Sequence, residues 1–159
     1  MPGSGRRGAA PRPPGGTLST QESMMFAIKA EVGDLQAEVF AFSDQKTMYR
    51  GKDIAKGDVI FIFASENESG SGLVASGVVE SSEPIPRAPG IARQTPRVSI
   101  TIRRTALAKR RLGRGELKLF SNWKDGRPET ELNFKFYRQA TNKIVGISDK
   151  AAALLREHF

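Results

Sequence analysis

The chain has 159 residues, no cysteine, a single histidine and a single tryptophan. Without thiols there are no disulfides, no thiolate metal ligands and no cysteine nucleophile, and this usage fits a reducing compartment, so the expected location is cytoplasmic. The one histidine, His158, is the penultimate residue. That excludes a His-rich metal site and leaves a serine triad without a base except at the very end of the chain. No apolar run approaches the roughly 18 residues that span a bilayer. No metal, cofactor or membrane partner is therefore expected.

A fourth absence is local. From Arg87 to Arg114 there is no Asp or Glu, while nine Arg or Lys residues fall in that stretch and the whole chain is formally +8. The segment thus more than accounts for the net charge. A concentrated positive field opposes compaction by self-repulsion, and a polyanion, above all a phosphate backbone, offsets it. Arg97, Arg103, Arg104, Lys109, Arg110, Arg111 and Arg114 are the expected phosphate-binding residues. The simpler reading is a solvated basic loop.

Composition divides the chain in two. Residues 1–23 are rich in Gly, Pro, Ser, Ala and Arg with Leu18 the only large aliphatic side chain, too little to order a segment by burial, so a disordered leader is expected. Residues 24–159 read as one folded domain. Phe26–Val32 and Glu38–Phe42 are extended apolar stretches around a Gly33-Asp34 turn signal, a first strand or hairpin. Gln45–Ala55 reads as one or two helical turns with Met48 and Ile54 inward. Val59–Phe63 is a continuous apolar run, a strand buried on both faces. Leu73–Glu80 is its returning partner, with Gly77 permitting a bulge or a close backbone approach.

Ser81–Pro96 reads as an exposed Pro-rich connection. In Arg97–Arg103, Val98, Ile100 and Ile102 alternate with polar residues, which makes one face core and the other wet and basic. A helical turn is expected at Ala106–Lys109, ending before Gly113, and a tight turn at Asp125-Gly126. Leu132–Tyr137 alternates and reads as a strand with Leu132, Phe134 and Phe136 inward. Ile144–Ile147 is a last strand, followed by a short helix capped by Ser148 with Ala151, Ala152, Leu154 and Leu155 as its packing stripe. Short strands without long intervening helices predict a mainly β domain with short helices, closed as an antiparallel barrel.

Two stretches resemble the PUA-like superfamily, and within it the EVE, YTH and ASCH branch: Ile54–Ser65, with Gly57-Asp58 leading into the core strand, and Gly72–Val79, the glycine-bearing return. Ile147–Ala152 is similar to the small C-terminal helix of such folds. The resemblance covers Met24–Phe159. It implies a PUA-like antiparallel pseudo-barrel that holds nucleic acid, RNA or DNA, with a flipped or single-stranded base, modified or not, in a surface pocket and cations on the phosphates.

Such a pocket needs aromatic planes, groups for the base edge, and cations. Trp123 and Tyr49 are the expected stacking residues, and Ser65, Asn122 and Ser43 the expected edge readers. The pattern departs from EVE and YTH domains in having one tryptophan where they have several. No catalytic residue is assigned: Glu66 and Glu68, or Glu129 and Glu131, lack the spacing of an acid–base pair. The alternatives are an amidohydrolase of the ASCH kind, acting on a modified nucleoside with Lys46, Thr47, Lys56, Glu66 and Glu68 recruited, or a basic subunit that binds an acidic protein or RNA.

Overall fold

A computed structural model describes residues 25–65, 72–90, 94–139 and 141–159. The expected leader, Glu66, Glu68 and Arg93 lie outside the described residues. Six strands, β1 (Met25–Ala30), β2 (Val39–Met48), β3 (Val59–Ala64), β4 (Gly72–Pro84), β5 (Arg97–Leu107) and β6 (Lys143–Ile147), close into a barrel in the order β1-β3-β4-β5-β2-β6. Three short helices, α1 (Arg114–Leu117), α2 (Pro128–Phe136) and α3 (Asp149–Arg156), complete the fold. None is long and apolar enough to cross a membrane, among the described residues.

The barrel is mixed, which corrects the antiparallel expectation: β1 pairs with β3, and β2 with β6, in parallel. The first two strands form no hairpin, because β2 crosses to the far side to pair with β5 and β6. Gln45–Met48 is not helical either. The chain bulges between Phe42 and Gln45, where Asp44 takes a φ of 56°, and continues as strand. Sheet pairing overrides the helical expectation there, although a single 3-10 turn does form at Gly51–Asp53, and Met48 points outward at 39% exposure while Ile54 is buried as expected.

Two cores result from the closure. Inside the barrel lie Phe26, Ile28, Ile60, Ile62, Val98, Ile100 and Ile102. Outside it, Ala27, Phe61, Phe63 and Val145 face Leu117, Leu132, Phe136, Ala151 and Leu155 of the helices. This explains the continuous run in β3, since each face of that strand has its own core. Ser148 caps α3 by accepting from the Ala151 N–H at 3.1 Å.

The expected strand at Leu132–Tyr137 is helix α2. Pro128 in its first turn suits a helix start, and Leu132 and Phe136, four residues apart, are both fully buried. An i, i+4 pair satisfies the helical period as well as the alternating one; Phe134 then falls on the flank, half-buried. The expected helical turn at Ala106–Lys109 is instead the end of β5 and its exit, with Ala106 paired to Ser76 and Leu107 to Ala75. Gly113 starts α1 rather than ending a helix, its N–H donating to Glu116 Oε1 at 2.8 Å.

Lys29 and Lys143 oppose each other on β1 and β6, each 2% exposed. Lys143 Nζ donates to the Thr141 carbonyl at 2.9 Å and Lys29 Nζ to Asn142 Oδ1 at 3.3 Å. Burial, then repulsion from Lys29, Arg138 and Lys46, pushes the Lys143 ammonium down to about 8.

Two measurements follow. A methyl group at Gly77 would lie 2.5 Å from Ile102 Cγ2 and 2.6 Å from the Arg103 carbonyl, so Gly77→Ala should cost about 1–3 kcal/mol in urea unfolding. Because Lys143 binds its proton more weakly folded than unfolded, its penalty is full below pH 8 and is relieved as pH rises toward the unfolded value of about 10.4. The stability of the native chain relative to Lys143→Met should therefore rise across that window; a flat difference in urea midpoint would contradict the shifted lysine.

Candidate nucleic-acid interface

The acid-free segment becomes one wall of the barrel and part of its rim. Along β5 the inward residues Val98, Ile100 and Ile102 are buried, which leaves Arg97 and Arg103 on the outer face. Arg97 Nη1 donates to the Asp44 carbonyl at 2.9 Å and lies 3.5 Å from its carboxylate; Arg103 Nε lies 3.1 Å from Glu80. Arg104 turns the other way, its Nη1 donating to the carbonyls of Gln36 at 2.7 Å and Ala37 at 3.1 Å. It pins the loop that follows β1.

Past Leu107 the chain leaves the sheet and is fastened at both sides. The Ala108 N–H donates to the Val74 carbonyl at 2.8 Å and the Lys109 N–H to the His158 carbonyl at 2.6 Å. The Arg110 guanidinium donates to the Glu157 carbonyl beyond the end of α3, where the helix dipole favours a cation. Arg111 pairs with Glu116 at 3.3 Å, and Arg114 lies over the Tyr137 ring, 5.2 Å from its centroid. Lys109 is exposed.

These attachments enclose a cleft of about 290 Å³ at the barrel mouth. Its walls are Leu35 and Gln36 of the pinned loop, Leu73 and Val74 of β4, and Leu107 to Arg111. Leu35 and Leu107 are among the exposed large apolar residues, so the cleft offers apolar surface beside three consecutive cations. Ser65 stands at the same end, its N–H donating to the Ala30 carbonyl at 2.8 Å where β1 and β3 both finish.

The other expected pocket residues lie elsewhere. Trp123 and Tyr49 share one patch, both packed on Phe134 with ring centroids 5.4 and 6.2 Å away. Tyr49 is tied to β6 by its carbonyl, which accepts from the Gly146 N–H at 3.0 Å. Ser65 sits beyond the Lys29–Lys143 pair on the same ladder, so about four residues of strand, roughly 13 Å, separate the two levels. Asn122 builds the Trp123 turn, its carbonyl accepting from the Asp125 N–H at 3.0 Å. Ser43 is exposed at the β2 bulge, with its carbonyl accepting from Gln45 Nε2 at 2.8 Å.

Sequence reasoning missed Leu35, Gln36, Leu73 and Leu107, because a cleft between a loop and two strand ends has no linear motif. The recruited amidohydrolase residues are not assembled among the described residues: Thr47 is buried with its hydroxyl donating to the Pro96 carbonyl at 2.8 Å, while Lys46 and Lys56 are exposed. No group of three His, Cys, Asp or Glu residues that could hold a metal occurs among the described residues.

No protein-family model matches the sequence, and no curated protein sequence does. Solved structures match the fold. The human THYN1 protein in complex with 5-methylcytosine-containing DNA aligns with a TM-score of 0.60 at 15% identity, covering 86% of this chain and 98% of that one. The DUF55 domain of human thymocyte nuclear protein 1 aligns at 0.56 with 13% identity, over 84% and 96% of the two chains. A protein from Pseudomonas syringae aligns at 0.54 with 19% identity, over 85% and 99%. With its closed six-strand barrel and helix-covered outer face, the chain shares the overall fold of these solved structures.

Proposed function

We propose that the protein is a non-enzymatic nucleic-acid-binding module in which the cleft at the barrel mouth receives a flipped or single-stranded base, modified or not, while Lys109, Arg110 and Arg111 hold the adjoining phosphates. The observation that carries this reading is the cleft itself. Three consecutive cations from an acid-free segment form its wall beside Leu35, Leu73 and Leu107.

The chemistry divides accordingly. Cations supply affinity and positioning without sequence information, whereas an apolar slot with one amide, Gln36, can accept a base face and hydrogen-bond its edge. Ser65 at the same mouth adds a hydroxyl. The rim is also preorganised: Arg104 fixes the far wall through Gln36 and Ala37, and the ends of β4 and α3 fix the near wall. Rigid walls reduce the ordering cost of binding. The structural neighbour solved with methylated DNA supports a nucleic-acid ligand for a barrel of this shape.

Binding should fall steeply with salt, each phosphate contact contributing about 0.7–0.9 to the slope of log K against log salt. Lys109→Ala, which removes an exposed cation, should weaken all sequences about equally and flatten that slope by about 1. Fluorescence anisotropy with labelled single- and double-stranded oligonucleotides measures both, and affinity indifferent to salt would sink the reading.

A further inference from the structure

On the α2 side, at the level of Tyr49, Trp123 stands 43% exposed over a cavity of about 220 Å³. The cavity is bounded by Trp123, Gly126, Arg127, Glu131, Phe134 and Lys135 among others. Its position is fixed by a tightly bonded turn. Asp125 Oδ1 accepts from the Arg127 N–H at 3.0 Å and Oδ2 from the Thr130 hydroxyl at 3.1 Å, while Gly126 takes the left-handed φ of 74° that the turn requires.

The aromatic surfaces around it are unequal. The Arg138 guanidinium covers Phe134 at 4.1 Å from its centroid, and Lys135 Nζ covers Tyr49 at 5.1 Å. No cation among the described residues covers Trp123. Its indole is therefore the one ring of this patch left to meet a planar ligand.

The charges favour an anionic ligand. Lys118, Lys124, Arg127 and Arg138 are exposed on this side. Of the acids, Glu131 is occupied by Lys135 Nζ at 3.0 Å and by the Ser148 N–H at 2.8 Å, and Asp125 by its turn bonds; Glu129 is half-buried. A planar π-face beside a surplus of cations is the chemistry of a nucleotide in a single strand, where a base stacks and its phosphate meets Arg or Lys.

We infer that Trp123 is a second, separate contact point for the nucleic acid, a stacking platform for an unpaired base with Arg127, Lys124 and Arg138 toward its phosphates. This rests on the nucleic-acid reading above. The platform is distinct from the mouth cleft because the two cavities share no lining residue. It gives the module a preference for strands with unstacked bases and no requirement for base identity, since every base has a π-face.

Trp123 is the only tryptophan, so its emission reports on this position alone. Titration of the full chain with a short single-stranded DNA or RNA oligonucleotide should quench that emission in step with the rise in anisotropy of the labelled strand. Trp123→Ala should lower affinity about 5- to 150-fold, and Trp123→Phe should recover part of the loss. Lys109→Ala, saturated at higher oligonucleotide concentration, should show the same quenching amplitude as the native chain.

An anisotropy rise with unchanged emission, or Trp123→Ala binding as the native chain does, overturns the platform and leaves the mouth cleft standing. No anisotropy rise at low salt sinks the nucleic-acid reading itself. Quenching by a poly-glutamate peptide and not by the oligonucleotide would instead make this patch a protein-docking site.

Discussion

The structure depends on β6. Its five residues, Lys143 to Ile147, are all buried, and they join the sheet's two edges by pairing antiparallel with β1 and parallel with β2. Without this strand the other five would form an open sheet with two exposed edges, a template for unwanted pairing. The fit is close. Gly51 lies against the Ile144 carbonyl with no room for a Cβ, so the turn after β2 can pack there only as glycine. Gly146 then organises the neighbouring layer, its N–H donating to the Tyr49 carbonyl and its carbonyl accepting from Lys135 Nζ at 2.7 Å.

Closure has a cost and a benefit at opposite ends of the same strand. At one end it sets Lys143 beside Lys29 with little solvent, and desolvation and like charge together depress the ammonium. At the other end it fixes the distance between aromatic patch and barrel mouth. Tyr49 is bonded to Gly146, and α2 is bonded to the same residue through Lys135, so the aromatic patch is anchored to the strand that closes the barrel. Any nucleic-acid strand that engages both patch and mouth must follow the barrel wall between them.

Much of the fold was legible from side-chain pattern because the barrel interior imposes a strict period on β5 and a doubly buried character on β3. Val98, Ile100 and Ile102, and the run from Val59 to Phe63, could hardly be read otherwise. Gly77 was equally clear, since a glycine in the middle of an apolar strand signals close approach, and the ladder shifts register there. The failures have physical causes. Leu132, Phe134 and Phe136 fit alternation, yet Leu132 and Phe136 alone fit a helix, and Pro128 decided between them. Long-range pairing carried β2 through Gln45 to Met48 and β5 through Leu107, where local signals favoured turns. Of the site, the charges were legible and the cleft was not. Leu35, Leu73 and Leu107 are ordinary residues in sequence, brought together only by where three segments end.

The acid-free segment is best understood by what its cations are bonded to. Arg97, Arg103 and Arg111 meet carboxylates, Asp44, Glu80 and Glu116, which offset part of their charge from outside the segment. Arg104 and Arg110 bond instead to backbone carbonyls, of Gln36, Ala37 and Glu157. A carbonyl orients a guanidinium without cancelling its charge, so these two arginines hold structure in place and still contribute their full field. Arg110 lines the mouth cleft, as does exposed Lys109, and Arg104 reaches it through Gln36. The basic residues along the strand thus act mainly as cross-braces, while Lys109 and Arg110 bring positive charge to the barrel opening. A polyanion drawn to that opening would meet cations and an apolar cleft in one place.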